Sequence, residues 1–260
     1  MNDFVRSVRE GAPEAGKTRV FWLGQAGFLI KTAKGHTIGI DPYFSDCVAR
    51  LFPEIGLGFK RLSPPPCRAD ELALDVLLIS HEHADHFDVD SIAALMANGH
   101  TKVYANAPVV EQMRGMALDM SRVTTLRKGE PVALPDCTLT PMDCDHGPLA
   151  PEALGFMLDF DGVSVYYAGD TALTLDRLQP AIARRPDVAI VPINGAFGNL
   201  DGVQGATYAG LLQCKICIPC HFWTFPFHHG DPQTFLDAMP EKAPDVKPVL
   251  LCQGEFVDVG

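Results

Sequence analysis

At 260 residues the chain has room for one large domain or two small ones at about 150 residues each, enough to bury a substantial core without a metal or disulfide to hold it together. Hydrophobic residues make up 47% and charged residues 20%, and the 23 Gly and 21 Pro follow no repeat, which excludes collagen-like, disordered and coiled-coil chains. A net charge of −11 disfavours binding to a phosphate backbone, so no nucleic-acid partner is expected.

No run of 18 apolar residues occurs and the N-terminus lacks a signal-peptide core, so no membrane partner and a cytoplasmic location are expected. Eight cysteines lie far below the density of secreted disulfide scaffolds. Three of them, Cys214, Cys217 and Cys220, form a C-x2-C-x2-C string. Their context, KICIPCHF, reads as a buried strand, and an extended chain holds Cys214 and Cys220 about 20 Å apart. No single ion spans that, so buried free thiols are expected.

In chain order, TRVFWLG (18–24), AGFLIKTA (26–33) and HTIGIDP (36–42) predict three successive strands. Residues 43–71, with Pro53, Gly56, Gly58 and Pro64-Pro65-Pro66, predict a long surface loop. LDVLLIS (74–80) is an apolar strand, followed by a helix over DVDSIAALMANG (88–99), a strand KVYAN (102–106) and a helix APVVEQMRGMAL (107–118). The second half begins again with strands: VALPDCTLTPMDCDHG, LGFMLDF and VSVYYAGD, the last two joined by the hairpin signal Asp161-Gly162. TLDRLQPAIARR, VQGATYAGLLQ and DPQTFLDAMP predict helices, VAIVPI and KICIPCHF strands, and PVLLCQGEFVDVG a closing strand. Each half is a strand cluster followed by strand–helix units. Two such halves make a four-layer αββα sandwich, an α/β fold with two sheets face to face and helices outside. The composition does not shift at the midpoint, so residues 1–260 are expected to form a single domain, with 1–17 as an N-terminal extension.

The informative string is His81-Glu82-His83-Ala84-Asp85-His86, directly after LDVLLIS. A strand that ends there exposes its side chains at the sheet's carboxyl edge, where ligand sites form. In an extended segment His81 and His83 point the same way and can share one metal, while Asp85 and His86, past the turn, can serve a second.

H-x-H-x-D-H after an apolar strand, in a chain of this two-halved pattern, resembles the metallo-β-lactamase-fold hydrolases. The resemblance implies further metal ligands at strand ends, and His146 in MDCDHG, Asp170 in VSVYYAGDT and His221 in KICIPCHF fit them, Asp170 as the carboxylate bridging both ions. His228 and His229 are rival donors to His146. Asp41, in HTIGIDPYF, matches an acidic position of the fold and is expected to hold a ligand imidazole. WLGQAGFLIK, ISHEHADHFDVD, YYAGDTALT and ICIPCHFWTFPFHHGDPQ are similar to the L-ascorbate-6-phosphate lactonase group, from about Val20 to Asp237. The chain is short for that group before the first His motif.

His and carboxylate donors without thiolate suit Mn²⁺ or Zn²⁺, with Fe²⁺ also compatible. Two such ions about 3.5–4 Å apart share and acidify a water that attacks a polarised carbonyl. Asp85 is the expected catalytic residue, orienting that water and moving its proton. The expected activity is opening of a lactone or related ester, with a sugar-acid phosphate as one candidate substrate. The alternatives are a dinuclear phosphodiesterase or nuclease, and a non-hydrolytic metal-binding scaffold. For the small-molecule substrate, Arg50, Lys60 and Arg61 are candidates to meet an anionic group. Asn194 and Phe197, in the loop after VAIVPI, and Trp223, in the aromatic segment 222–229, are candidate contacts. Segment 222–229 and loop 43–66 are expected to frame the entrance. A neighbouring subunit of a homo-oligomer is one candidate for what ties down the polar first 17 residues.

Overall fold

A computed structural model describes residues 2–260. The first sheet contains β1 (Thr18–Gly24), β2 (Gly27–Thr32), β3 (Thr37–Ile40), β4 (Val76–Ile79), β5 (Lys102–Ala105) and β6 (Val123–Thr125). The second contains β7 (Val132–Leu134), β8 (Cys137–Asp143), β9 (Leu154–Phe160), β10 (Val163–Tyr167), β11 (Val188–Pro192), β12 (Ile216–Cys220) and β13 (Lys247–Pro248), and β14 (Phe256–Val259) returns to the first sheet beside β1. Each sheet is half antiparallel and half parallel: β14-β1-β2-β3 and β7-β8-β9-β10 run antiparallel, β3 to β6 and β10 to β13 parallel. The helices are α1 (Asp3–Glu10), α2 (Cys47–Leu51), α3 (Ile92–Met96), α4 (Ala107–Arg114), α5 (Leu175–Arg184), α6 (Gly202–Leu212) and α7 (Pro232–Lys242).

The layering follows from strands that are apolar on both faces. Val20, Trp22, Phe28, Ile30, Val76 and Leu78 face the second sheet and pack in one core with Phe156, Leu158, Val165 and Tyr167. Their neighbours Phe21, Leu23, Leu29, Leu77 and Ile79 point the other way, onto Val5 and Val8 of α1, Ile92 and Leu95 of α3, and Val109 and Met113 of α4. Helices α5, α6 and α7 cover the second sheet through Leu178, Ala209, Leu212 and Met239. The result is the αββα sandwich.

Several elements differ from the sequence expectation. The stretch 43–71 carries α2 and two short 3-10 segments, at 53–59 and 69–71. The helix expected over 88–99 is regular only at Ile92–Met96, because the Asp88 carboxylate is occupied by the N–H groups of Phe44, Ser45 and Asp90 and the hydroxyls of Ser45 and Ser91. Strand β6 has no counterpart in that expectation; its Val-Thr-Thr is half exposed and too short to show periodicity. The closing segment is two strands in different sheets: β13 stops at Pro248, which has no N–H for a ladder, and the chain turns at Gly254, φ +89°, before β14. The N-terminal extension is held by its own chain: Val5 and Val8 are buried, and the Lys31 ammonium donates to the Val8 and Arg9 carbonyls. Cys214, Cys217 and Cys220 are buried free thiols. No helix among the described residues is long and apolar enough to cross a membrane.

Candidate metal centre

The strand ends converge on one rim. His81, His83, Asp85 and His86 follow β4, His146 follows β8, Asp170 follows β10 and His221 follows β12. Asp170 is reached through Gly169 at φ +65°, where a Cβ would stand 2.7 Å from the Leu154 carbonyl oxygen, so only glycine fits that approach. Among the described residues, five of the eight non-glycine residues with positive φ lie here: Gln25, Asp41, Phe197, His221 and Trp223. Backbone held in so sparse a region concentrates where a site over-determines it.

Two donor groups result. In one, His83 Nδ1 lies 3.0 Å from His81 Nε2 and 3.2 Å from His146 Nε2. In the other, His86 Nε2 and His221 Nε2 are 3.2 Å apart and lie 3.3 and 3.2 Å from Asp170 Oδ1, with Asp85 Oδ2 3.4 Å from His221 Nε2. Asp170 joins the groups, since its Oδ2 lies 3.6 Å from His146 Nε2. Donors about 2.0–2.1 Å from a tetrahedral ion stand about 3.3 Å from each other, which is the spacing of both groups.

Partners behind the rings decide which nitrogens face inward. His86 Nδ1–H donates to Asp41 Oδ2 at 2.7 Å, leaving Nε2 for the centre, and His83 Nε2–H donates to the Leu149 carbonyl at 3.2 Å, leaving Nδ1. Fully buried Asp41 also accepts from the Ser80 N–H at 2.7 Å, the Ser80 hydroxyl and the Tyr167 hydroxyl at 2.8 Å. Asn199 Nδ2 donates to Asp170 Oδ2 at 2.7 Å, and Gln25 Nε2 to Asp85 Oδ2 at 2.8 Å. The loop bearing His146 is braced by Arg177, which bridges Asp143 and Asp145.

The electrostatics call for positive charge. Burial opposes ionisation of Asp85 and Asp170, yet the surrounding imidazoles hold both carboxyls well below the usual range. Burial likewise opposes charge on His86, but Asp170 and Asp85 draw its pKa well above that of free imidazole. Burial and the neighbouring His86 push His81 the other way, well below it. Asp170 Oδ1 has no hydrogen-bond donor although buried. A divalent cation satisfies this orphaned oxygen and the converging ring nitrogens together; the clusters fit one.

Above the donors lies a cavity of about 380 Å³. Its wall comes from Val48 and Leu51 of α2, Phe52 just after it, Phe59, Leu149, Phe197 and Phe225, with Glu82, Gln112 and His228 among the polar members. Loop 43–66 and segment 222–229 thus both border it, the latter through Phe225 and His228. Trp223 does not line it and points to solvent with 61% of its surface exposed. Asn194 is buried away from it beside the Ala196 carbonyl. The basic residues are elsewhere as well. Arg50 pairs with Asp90 at 2.5 Å and Lys60 with Asp46 at 3.1 Å, while Arg61 turns inward to the Tyr43 and Ser63 carbonyls. None of these three borders the cavity, and no lysine or arginine among the described residues lines it.

Sequence reasoning left Gln25 and Tyr167 without a role, Asn199 only as part of the loop after VAIVPI that could meet substrate, and His228 only as a rival to His146. For Gln25 a signal existed: a bulky amide in a two-residue strand turn, where glycine or asparagine is usual.

An αββα sandwich whose strand ends gather histidines and aspartates around room for divalent cations defines a metallo-β-lactamase-fold protein. The chain belongs to the β-lactamase superfamily, whose domain model matches residues 19–221, and within it to the UPF0173 metal-dependent hydrolases. It is 31% identical over 242 residues to a UPF0173 metal-dependent hydrolase of Hyperthermus butylicus, covering 91% of this chain and 97% of that one. A second such protein, from Aeropyrum pernix, is 31% identical over 253 residues, covering 91% and 96%. Among solved structures, Igni18, a metallo hydrolase from Ignicoccus hospitalis, superposes with a TM-score of 0.74 at 23% identity, covering 94% of this chain and 99% of that chain.

Proposed function

We propose that the chain hydrolyses an ester or lactone whose body is apolar and uncharged, using two divalent ions held by His81, His83 and His146 on one side and by Asp85, His86 and His221 on the other, with Asp170 between. The observation that carries this reading is the pairing of two carboxylate-linked donor groups with an apolar cavity that has no cationic side chain in its wall. The non-reacting phosphate of a sugar-acid phosphate brings negative charge to that wall and finds no cationic partner there, so the phosphate half of the lactonase resemblance is set aside. Mn²⁺ and Zn²⁺ both suit the donor set, and such ions supply Lewis acidity and an acidified water when bound.

The chain's own residues do the rest. His81, His83, His86, His146 and His221 orient lone pairs inward. Asp85, held by Gln25 and kept ionised, accepts the proton of the attacking water and returns it to the leaving oxygen. Phe59, Phe197 and Phe225 exclude bulk water, which strengthens every charge interaction at the reacting carbonyl.

The test is metal quantification on protein purified without added metal, followed by a panel of alkyl lactones, aryl esters, a phosphorylated sugar lactone and a phosphodiester. Two equivalents of metal and a preference for uncharged lactones or esters are expected. A preference for the phosphodiester, or full activity after exhaustive chelation, overturns the reading.

A further inference from the structure

One stretch of cavity wall carries polar groups beyond the seven donors assigned above: His228 clusters with Asp85 and His221, but its Nδ1 is taken up by Gln25 Nε2 at 2.8 Å, and its role follows if the hydrolase reading above is right. Gln25 sits in the β1–β2 turn, fully buried at φ +53°. Three bonds fix its backbone, one to nearby Trp22 and two to the distant segment after β12. Its N–H donates to Thr224 Oγ1 at 3.1 Å, and its carbonyl accepts from Trp22 Nε1 and from the His221 N–H, both at 3.0 Å. The side chain so aimed places Nε2 at 2.8 Å from Asp85 Oδ2, 2.8 Å from His228 Nδ1 and 3.4 Å from His221 Nε2. Its Oε1 has no partner.

An ionised carboxylate only accepts hydrogen bonds, so the amide edge facing Asp85 is the NH₂ group. One of its hydrogens goes to Asp85 and the other to His228 Nδ1. A neutral imidazole that accepts at Nδ1 carries its proton on Nε2. His228 is a wall residue of the cavity, stacked on His221 with ring centroids 4.7 Å apart and edged by Phe59, Phe197 and Phe225 at 6.2, 5.6 and 5.0 Å. Three phenylalanines give this ring no polar partner, and packing alone would be served by a fourth. The polar edge has no use within the wall.

We propose that Gln25 and His228 form a donor arm, in which Gln25 is the positioning residue that locks the His228 tautomer and His228 Nε2–H hydrogen-bonds the substrate's carbonyl oxygen as negative charge develops there. No proton leaves His228 in this role. The water adds to the acyl carbon, the C–O bond of the leaving group breaks, and the oxyanion collapses back to a carbonyl while the donor stays in place. An uncharged donor suits the wall described above, since it favours a carbonyl oxygen without recruiting an anionic substrate.

Two independent arms test this. In the first, His228→Phe keeps the aromatic packing and removes the donor, whereas His228→Gln returns an N–H. Loss of one such donor typically lowers kcat about 10²–10³-fold. That loss is expected for His228→Phe with KM and metal content little changed, and His228→Gln is expected to recover at least a tenth of wild-type kcat. Unchanged kcat in His228→Phe overturns the donor role. In the second, ¹⁵N NMR of zinc-loaded wild-type protein is expected to show His228 protonated at Nε2, and Gln25→Met to release that preference. A proton on Nδ1 in the wild type overturns the arm, whether or not His228→Phe folds. If zinc-loaded wild type turns over no ester, the hydrolase reading falls on the activity panel, while the tautomer still decides the Gln25–His228 pair separately.

Discussion

Replacing Asp41 by asparagine isolates one function of the rim, because asparagine tolerates the left-handed backbone that Asp41 adopts at φ +43°. The exchange leaves the Ser80 N–H its acceptor but presents an NH₂ group to three donors: the Ser80 hydroxyl, the Tyr167 hydroxyl and His86 Nδ1–H. The two hydroxyls can rotate and accept, so their bonds weaken without vanishing. His86 can accept only by moving its proton to Nε2, the atom that faces His221 and Asp170. One charge-assisted bond lost, at about 1.5–3 kcal/mol, and two weakened ones give a destabilisation of about 3 kcal/mol. For a chain of this size that lowers Tm by about 6–12 °C. Metal affinity should fall about 10–100-fold, the usual cost of removing the partner behind a ligating imidazole. Urea denaturation of metal-free protein reads the first effect, and competition against a chelator of known affinity reads the second. An Asp41→Asn variant that is destabilised yet binds metal with unchanged affinity would refute the idea that Asp41 acts through the His86 tautomer.

Asp85→Asn should lower turnover by about 10²-fold or more with the fold intact by circular dichroism, and retained activity at full metal content would remove Asp85 from the chemistry. Asn199→Ala frees Asp170 Oδ2 from its 2.7 Å tether, so metal affinity should drop about tenfold or more by the same chelator competition. Asp136 lies far from the site. Burial opposes its ionisation, yet bonds from Thr32, His36 and Lys34 bring its pKa down to about 2. A carboxyl depressed in the folded state contributes stability above its unfolded pKa, near 3.9, and loses it as pH falls toward 2. Asp136→Asn should therefore flatten the Tm-against-pH curve between about pH 4 and 2 and leave the variant less stable at pH 7.

What the sequence by itself determined is what depends on near neighbours along the chain. Alternating inward and outward apolar residues, such as Val20 and Trp22 against Phe21 and Leu23, make strands buried on both faces, and two runs of such strands with helices between them require four layers. Likewise, His81, His83, Asp85 and His86 share one strand end, and their grouping needs no distant partner. The flat C-terminal segment was legible as extended chain but not as two strands in opposite sheets, since β-propensity does not say which edge a strand will join.

Only the tertiary structure decided how the donors are held and what they face. Asp41 and Tyr167 are 126 residues apart, and Gln25 reaches His228 across 203. Arg61 reads from the sequence as a surface cation beside a proline-rich loop; in the fold its guanidinium is drawn inward to the Tyr43 and Ser63 carbonyls, and the cavity is left without positive charge. Periodicity and strand-end position are properties of a few successive residues. The partner of a buried hydrogen bond is whichever group the packed chain brings within about 3 Å, and that is settled only when both sheets are in place.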